Sequence, residues 1–252
     1  MTNTAVMIHG AFCGAWCLAD FAGNFNRRGW RCIVPDLPKH GEGTGEDELA
    51  RLSLADYRRA MIDLVGSLDT PPVIVGHSMG GLIAQQVAAT VPVRGLVLLA
   101  PASPWGVAPT SEHEIAAAKG LLTAGAFWER GLSPVFEIAA GNSLDRIPAH
   151  RQRELFDRFG PESGQALFES MLWPLDLARA SALDPEAVRC PTLWFAGADD
   201  KVTAAATIQA SADRYERDIQ VKVLPGHSHF LIAEPGWERI ADQAERWAAA
   251  LP

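Results

Sequence analysis

Gly76-His77-Ser78-Met79-Gly80, with Gly81 behind it, sets a serine between glycines two residues before and two after. Val73-Ile74-Val75 in front is a short apolar run, and Leu82 to Ala89 behind has a helical pattern. Strand, sharp turn and helix form the setting that a G-x-S-x-G nucleophile needs, because the turn lifts the hydroxyl above the end of a sheet on strained backbone. Side chains at the flanking glycines would clash in that turn. The amide of Met79 then points at an attacked carbonyl. A nucleotide-binding turn is the competing explanation, but G-x-G-x-x-G and G-x-x-x-x-G-K-[ST] are both absent. A serine used this way needs an imidazole to take its proton and a carboxylate to hold that imidazole in one tautomer. Candidates for the first role include the two histidines of Gly226-His227-Ser228-His229, and for the second the two acids of Gly197-Ala198-Asp199-Asp200, each behind a strand-like apolar run. Asp199 has an alternative use as the cap of a helix starting near Ala204.

The elements that must position these groups alternate along the chain. Ala5–Ile8 reads as a buried strand, Trp16–Arg28 as a helix ended by Gly29, and Arg31–Val34 as the next strand. A polar loop runs on to Arg51. Ser53 then reads as an N-cap with Asp56 three residues on, for a helix to about Leu68. Val93–Leu99, Cys190–Ala196 and Ile219–Leu224 read as further strands, and Trp237–Leu251 as a closing amphipathic helix. Strands alternating with helices predict βαβ units and a parallel sheet. From Ala102 to Val188 strand-like runs vanish. Helical stretches are predicted near Ser111–Thr123, Gly125–Glu129, Pro134–Ala140, Pro148–Arg158 and Glu162–Leu172.

The 252 residues suffice for one α/β domain with an inserted lid. With 48% hydrophobic and 21% charged residues the composition is that of a soluble globular protein, and a formal charge of −8 disfavours nucleic acid as a partner. No signal peptide precedes the first strand and no apolar run approaches a membrane span. The four cysteines, Cys13, Cys17, Cys32 and Cys190, sit in apolar contexts at no metal spacing, which predicts buried thiols in a cytoplasmic protein with no metal and no cofactor.

Three stretches together resemble the α/β-hydrolase superfamily in its serine-nucleophile branch: His9-Gly10, Pro35-Asp36-Leu37-Pro38-Lys39-His40-Gly41, and Gly76 to Gly81. His9-Gly10-Ala11-Phe12-Cys13-Gly14-Ala15-Trp16 is similar to one part of it, the small plant-type esterases, methyl-ester hydrolases and hydroxynitrile lyases. The resemblance implies a mostly parallel, doubly wound sheet of about six strands. The family's first two antiparallel strands are missing, since the His-Gly loop follows only eight residues. It also implies a core formed by 1–101 and 189–252, with 102–188 inserted as a helical cap of the same domain. The family's acid falls on the third residue after Gly197, which is Asp200. Its base falls about five residues before Glu-Pro, which from Glu234-Pro235 gives His229 rather than His227. The order Ser78, Asp200, His229 is the superfamily's. His227 is left as a loop hydrogen-bonder, His40 as a brace of its own turn, and His113 and His150 as exposed. The oxyanion donors implied are the amides of Met79 and Ala11, with Phe12 as second choice to Ala11.

The resemblance implies a serine hydrolase cleaving a carboxylic ester or lactone through an acyl-enzyme. Aromatic residues in 102–188 imply a small, apolar or aromatic substrate, with Trp105, Trp128 and Trp173 as pocket candidates. Rival chemistries on the same triad are a hydroxynitrile lyase, a carbon–carbon hydrolase and a perhydrolase. The lyases carry threonine where Gly10 stands and lysine directly after the base, where this chain has Phe230. Ser78 argues against the dehalogenases and epoxide hydrolases of this fold, whose nucleophile is aspartate. From a different class, a receptor-like ligand binder on the same scaffold remains an alternative.

Overall fold

The computed structural model describes residues 3–41, 45–217 and 219–252. In chain order the elements are β1 (Thr4–Ile8), α1 (Ala19–Asn26), β2 (Arg31–Ile33), α2 (Glu46–Leu49), α3 (Leu54–Gly66), β3 (Val73–His77), α4 (Met79–Ala88) and β4 (Gly95–Leu99). They continue with α5 (Glu112–Thr123), β5 (Gly131–Leu132), α6 (Phe136–Gly141), α7 (Ala149–Phe156), β6 (Glu162–Ser163), α8 (Gly164–Met171), β7 (Thr192–Gly197), α9 (Ala205–Ala212), β8 (Val221–Leu224) and α10 (Trp237–Ala249). Six strands form one sheet in the order β2-β1-β3-β4-β7-β8, and every pairing in it is parallel. The chain moves outward from β1 to β2 and then reverses to β3, so the C-terminal ends of β3, β7 and β8 open along one edge, the edge at which such sheets hold ligands.

Burial explains the sheet's centre. Val73, Ile74 and Val75 of β3 and Leu96 to Leu99 of β4 are wholly buried. These apolar runs do not alternate with polar residues because helices cover both faces of a parallel sheet. Each such side chain contributes about 1.5–3 kcal/mol on burial, which outweighs weak local propensity. The Ser53 cap forms as a capping box. The Ser53 hydroxyl accepts from the amides of Ala55 and Asp56, and the Asp56 carboxylate accepts from the Ser53 amide at 3.0 Å. Helix α10 buries Ile240, Ala241, Ala244 and Ala248, a stripe at helical spacing.

Several local expectations differ from the structure. The predicted Trp16–Arg28 helix divides into a 3-10 turn at Ala15–Leu18 and α1. The polar loop before Ser53 contains the single helical turn α2, and the part of that loop at 42–44 lies outside the described residues. The stretch 102–188 is not free of strand, because β5 and β6 form an antiparallel pair. Two residues carry no periodicity from which a strand is legible. Ser163 ends that pair and caps α8 through the Ala166 amide, so the helix expected from Glu162 begins at Gly164. Among the described residues no helix is long and apolar enough to cross a membrane, and the four thiols are unpaired, with Cys32 half-buried and the others buried.

Candidate active site

Ser78 stands between the end of β3 and the first residue of α4, with φ 52° and ψ −123°. That left-handed φ costs a non-glycine residue of order 1–3 kcal/mol and persists only where the surroundings hold it. Here the Ser78 amide donates to the Leu99 carbonyl at 3.0 Å, and the Ser78 carbonyl accepts from Gly81 and Ala102 at 2.8 and 2.9 Å. The flanking glycines are required by close approach. A Cβ on Gly76 would lie 2.7 Å from the Gly81 Cα, and one on Gly80 would collide with the carbonyls of Ile8 and His9. Met79 opens α4, so its amide has no carbonyl one turn earlier in the helix to bond.

Two more side chains converge on this serine from the loops after β7 and β8. The His229 Nε2 lies 2.9 Å from the Ser78 Oγ, and the His229 Nδ1 lies 2.9 Å from the Asp200 Oδ2. A carboxylate only accepts, so the proton belongs on Nδ1, and Nε2 is left bare to accept from the serine hydroxyl. Asp200 is itself fixed, since its Oδ1 accepts from the amides of Val202 and Thr203 at 2.8 and 2.9 Å. Both His229 and Asp200 are buried, whereas Ser78 is half-buried.

The competing residues have other partners. Asp199 pairs with Arg146 at 2.7 Å, facing an open polar groove of about 580 Å³ that it shares with His113, Asp145, Asp200 and Lys201. It does not cap α9, whose N-cap is Ala204 with no side-chain bond. The His227 Nδ1 lies 3.1 Å from the Glu234 Oε2, which also accepts from the Ser228 amide at 2.9 Å. His40 does brace its turn, donating from Nδ1 to the Pro38 carbonyl at 3.0 Å, and its Nε2 reaches Glu162 at 3.0 Å.

The loop after β1 packs directly on the serine, since a Cβ on Gly10 would lie 2.9 Å from the Ser78 Cβ. The Phe12 amide donates to the Glu162 Oε2 at 3.3 Å, while the Ala11 amide meets no protein acceptor among the described residues. Ala11 and Phe12 pack against Phe127, Leu167 and Leu172 of the segment between β4 and β7. Trp105 and Trp173 meet edge to face, the Trp173 indole donates to the Val107 carbonyl at 3.1 Å, and the Arg179 guanidinium lies over Trp105. Trp128 rests on Phe127 and Phe168 and is partly exposed. The three tryptophans therefore lie in two separate clusters. Sequence reasoning gave no individual role to Phe159, which packs on Phe230 beside His229, or to Glu162. An isolated acid after Gly160-Pro161 carries no signal for a contact some 150 positions away.

Two further histidines are buried neutral. His77 donates from Nε2 to the His229 carbonyl at 2.9 Å, and burial, helped by His229 nearby, lowers its pKa to about 3. Burial next to His40 lowers that of His9 to about 4, while its Nε2 accepts from the Leu37 amide. In the unfolded chain both return to the ordinary 6.5. Below pH 6.5 the unfolded chain therefore binds protons that the folded chain refuses, and each histidine costs about 3 kcal/mol of stability by pH 4. His40 acts with the opposite sign: Glu162 raises its pKa, so its contribution is complete below pH 6.5 and is lost only as pH rises. The urea midpoint is therefore expected to fall steadily between pH 6.5 and 4. A midpoint flat across that interval would refute the assignment of both rings as neutral.

Comparison with known proteins finds related sequences and a shared fold. A pyrethroid hydrolase of Sphingobium wenxiniae is 25% identical over 247 residues, covering 95% of this chain and 87% of that protein. A pimeloyl-[acyl-carrier protein] methyl ester esterase of Xanthomonas campestris pv. campestris is 30% identical over 227 residues, covering 86% of this chain and 84% of its own. The crystal structure of the methylesterase MES16 from Arabidopsis shares the fold, with a TM-score of 0.75 at 17% identity over 99% of this chain and 100% of that one. A pyrethroid hydrolase from Sphingobium faniae JZ-2 does so with a TM-score of 0.71 at 22% identity over 99% and 98%. The sequence profile of the alpha/beta hydrolase family matches residues 5–243, from the first strand of the sheet through most of its last helix, and the chain belongs to that family.

Proposed function

We propose that the protein is a serine carboxylic-ester hydrolase that works through an acyl-enzyme, with Ser78 as nucleophile, His229 as base and Asp200 as the acid that orients it. The observation that carries this reading is the continuous chain Ser78 Oγ–His229 Nε2 and His229 Nδ1–Asp200 Oδ2, both links 2.9 Å, on a strained elbow at the open edge of the sheet. As Ser78 attacks the ester carbon, its proton passes to His229 and the carbonyl electron pair becomes an oxyanion. The amides of Met79 and Ala11 receive that charge, each worth roughly 3 kcal/mol of barrier. Ala11 takes precedence over Phe12 because the Phe12 amide is already committed to Glu162. His229 returns the proton to the leaving alcohol, and a water activated by the same imidazole releases the acid.

Residues 102–188 act in this reading as the cap that closes the site. Their apolar cluster of Phe127, Leu167 and Leu172 against Ala11 and Phe12 supports a small apolar or aromatic substrate. Trp105, Trp128 and Trp173 belong to the same segment as candidate pocket residues. Names of relatives that hydrolyse pyrethroids and methyl esters support ester over lactone, carbon–carbon or peroxyacid chemistry. Phe230, buried and edge-on to His77, occupies the position after His229, so no lysine stands there to hold a leaving cyanide. The buried free thiols agree with a cytoplasmic setting.

The purified protein is expected to hydrolyse p-nitrophenyl acetate and small methyl esters, with activity declining as the acyl chain lengthens. Mandelonitrile cleavage as fast as ester hydrolysis would replace the esterase reading with a lyase. No Ser78-dependent turnover on any short or medium ester would favour the ligand binder.

A further inference from the structure

Phe12 is one of five non-glycine residues with positive φ among the described residues, at 62°, and it directly follows the residue proposed as an oxyanion donor. A bulky side chain in that region is held there by its surroundings. Both of its main-chain polar groups are taken by the segment between β4 and β7. Its carbonyl accepts from the Gly160 amide at 3.0 Å, and its amide donates to the Glu162 Oε2 at 3.3 Å. Nothing within the loop after β1 supplies either bond.

Glu162 is fully buried, so its carboxylate must be compensated. The Oε1 accepts from the Tyr57 hydroxyl and the Ser163 amide, both at 2.8 Å, and the Oε2 accepts from the His40 Nε2 at 3.0 Å as well as from Phe12. His40 faces acceptors at both ring nitrogens, the Pro38 carbonyl and Glu162, and only the doubly protonated ring can donate to both. His9, 5.1 Å from His40 between ring centres, and Tyr57, at 5.3 Å, are the other titratable groups against this pair. The result is a buried ion pair joining the loop after β2, helix α3 and strand β6 under the backbone of the loop after β1.

We propose that Glu162 is a positioning residue for the oxyanion: by holding the Phe12 amide in a left-handed turn, opposite the Gly160 amide on its carbonyl, it fixes the direction in which the preceding Ala11 amide points. This rests on the hydrolase reading above. Glu162 thus completes the oxyanion hole without touching substrate, and the seating of its segment on the core is coupled to the rate of the chemical step.

Glu162→Gln and Glu162→Asp test this in the full-length protein. Glutamine has one acceptor oxygen for four donors, so it satisfies either the Tyr57 side or the Phe12 side and leaves an N–H facing an N–H at the other. Aspartate keeps the charge beside His40 but withdraws the carboxylate from Phe12 by one methylene. Each variant is assayed with p-nitrophenyl acetate and with a trifluoromethyl ketone, which adds Ser78 to its carbonyl and places an oxyanion in the same hole. The expected result in folded protein is a fall in kcat of about 10- to 100-fold with KM within about threefold, and a comparable loss of affinity for the ketone. A merely structural role would lower the melting temperature and leave kcat and ketone affinity of the folded fraction unchanged, and that result overturns the proposal. Should the glutamine variant not fold, the aspartate variant alone decides by the same two readings. Ser78→Ala run alongside separates the failures. Turnover surviving in it removes the hydrolase reading itself, whereas an inactive Ser78→Ala beside fully active Glu162 variants removes only the positioning role.

Discussion

Ser78→Ala and His229→Ala are each expected to lose about 10⁵- to 10⁶-fold in kcat toward p-nitrophenyl acetate, and the double variant little more than either. The near-equality follows from the geometry. With 2.9 Å from Oγ to Nε2, the serine is activated only through that imidazole, and the imidazole has no other task in the attack. Removing one leaves the other without function, so the two losses do not add. Neither change should disturb the fold. Alanine tolerates the same strained φ, as Ala100 at φ 45° does in this chain, and the bonds that hold the elbow come from the Ser78 main chain. The residual rate is that of the oxyanion amides and binding, of order 10³- to 10⁴-fold over water. Steady-state kinetics with matched thermal melts measure the losses, and a phosphonate inhibitor should mark Ser78 in mass spectrometry of the wild type alone. Activity retained by Ser78→Ala at even a tenth of the wild-type rate would remove the acyl-enzyme reading.

What the sequence made legible was contiguous. Gly76 to Gly81 carries strand, turn and helix within one stretch, so the elbow could be located without tertiary information. The apolar runs of β1, β3, β4 and β7 are uninterrupted because both sheet faces are covered, and this made a parallel sheet readable. Chemistry alone asks only for some carboxylate and some imidazole among 30 acids and seven histidines, and it was the resemblance to related enzymes that placed them in two loops, at Asp199 or Asp200 and at His227 or His229. Choosing within each pair required an offset from related enzymes, because two residues in one loop have the same local environment in sequence. The structure separates them by partner: Asp200 meets His229, Asp199 meets Arg146, and Glu234 meets His227.

The illegible part was the segment between β4 and β7. Its aromatic residues were plain in the sequence, but composition gives no direction for a side chain. The three tryptophans singled out there pack on one another, on Arg179, or on Phe127 and Phe168. Glu162 was passed over because nothing near it in sequence explains why a carboxylate should be buried. Its four donors come from residues 12, 40, 57 and 163, three of them more than a hundred positions away. The left-handed turn at Phe12 was equally hidden, since a phenylalanine gives no hint of positive φ.

Asp200→Asn is expected to fold normally and to lose about 10³- to 10⁴-fold in kcat. Asparagine could in principle present either its oxygen or its nitrogen to His229. At this position the choice is constrained, because the amides of Val202 and Thr203 donate to the Oδ1 site at 2.8 and 2.9 Å and need an oxygen there. The side-chain nitrogen is then forced toward the His229 Nδ1 and donates to it. The imidazole proton moves to Nε2, which faces the Ser78 Oγ and can no longer take its proton. The loss thus arises from the wrong tautomer rather than from lost packing, so KM and the melting temperature should stay near those of the wild type. Asp199→Asn and His227→Ala serve as neighbours that share the loops but not the relay, and each should remain within about tenfold of wild type in kcat/KM. Asp199 gives up a half-exposed pair with Arg146, worth about 0–1 kcal/mol of stability, and His227 gives up a contact with Glu234 that is no link of the Ser78–His229–Asp200 chain. Kinetics on these three variants decide both assignments. A dead Asp199→Asn beside an active Asp200→Asn would move the acid by one residue, and a dead His227→Ala beside an active His229→Ala would move the base by two.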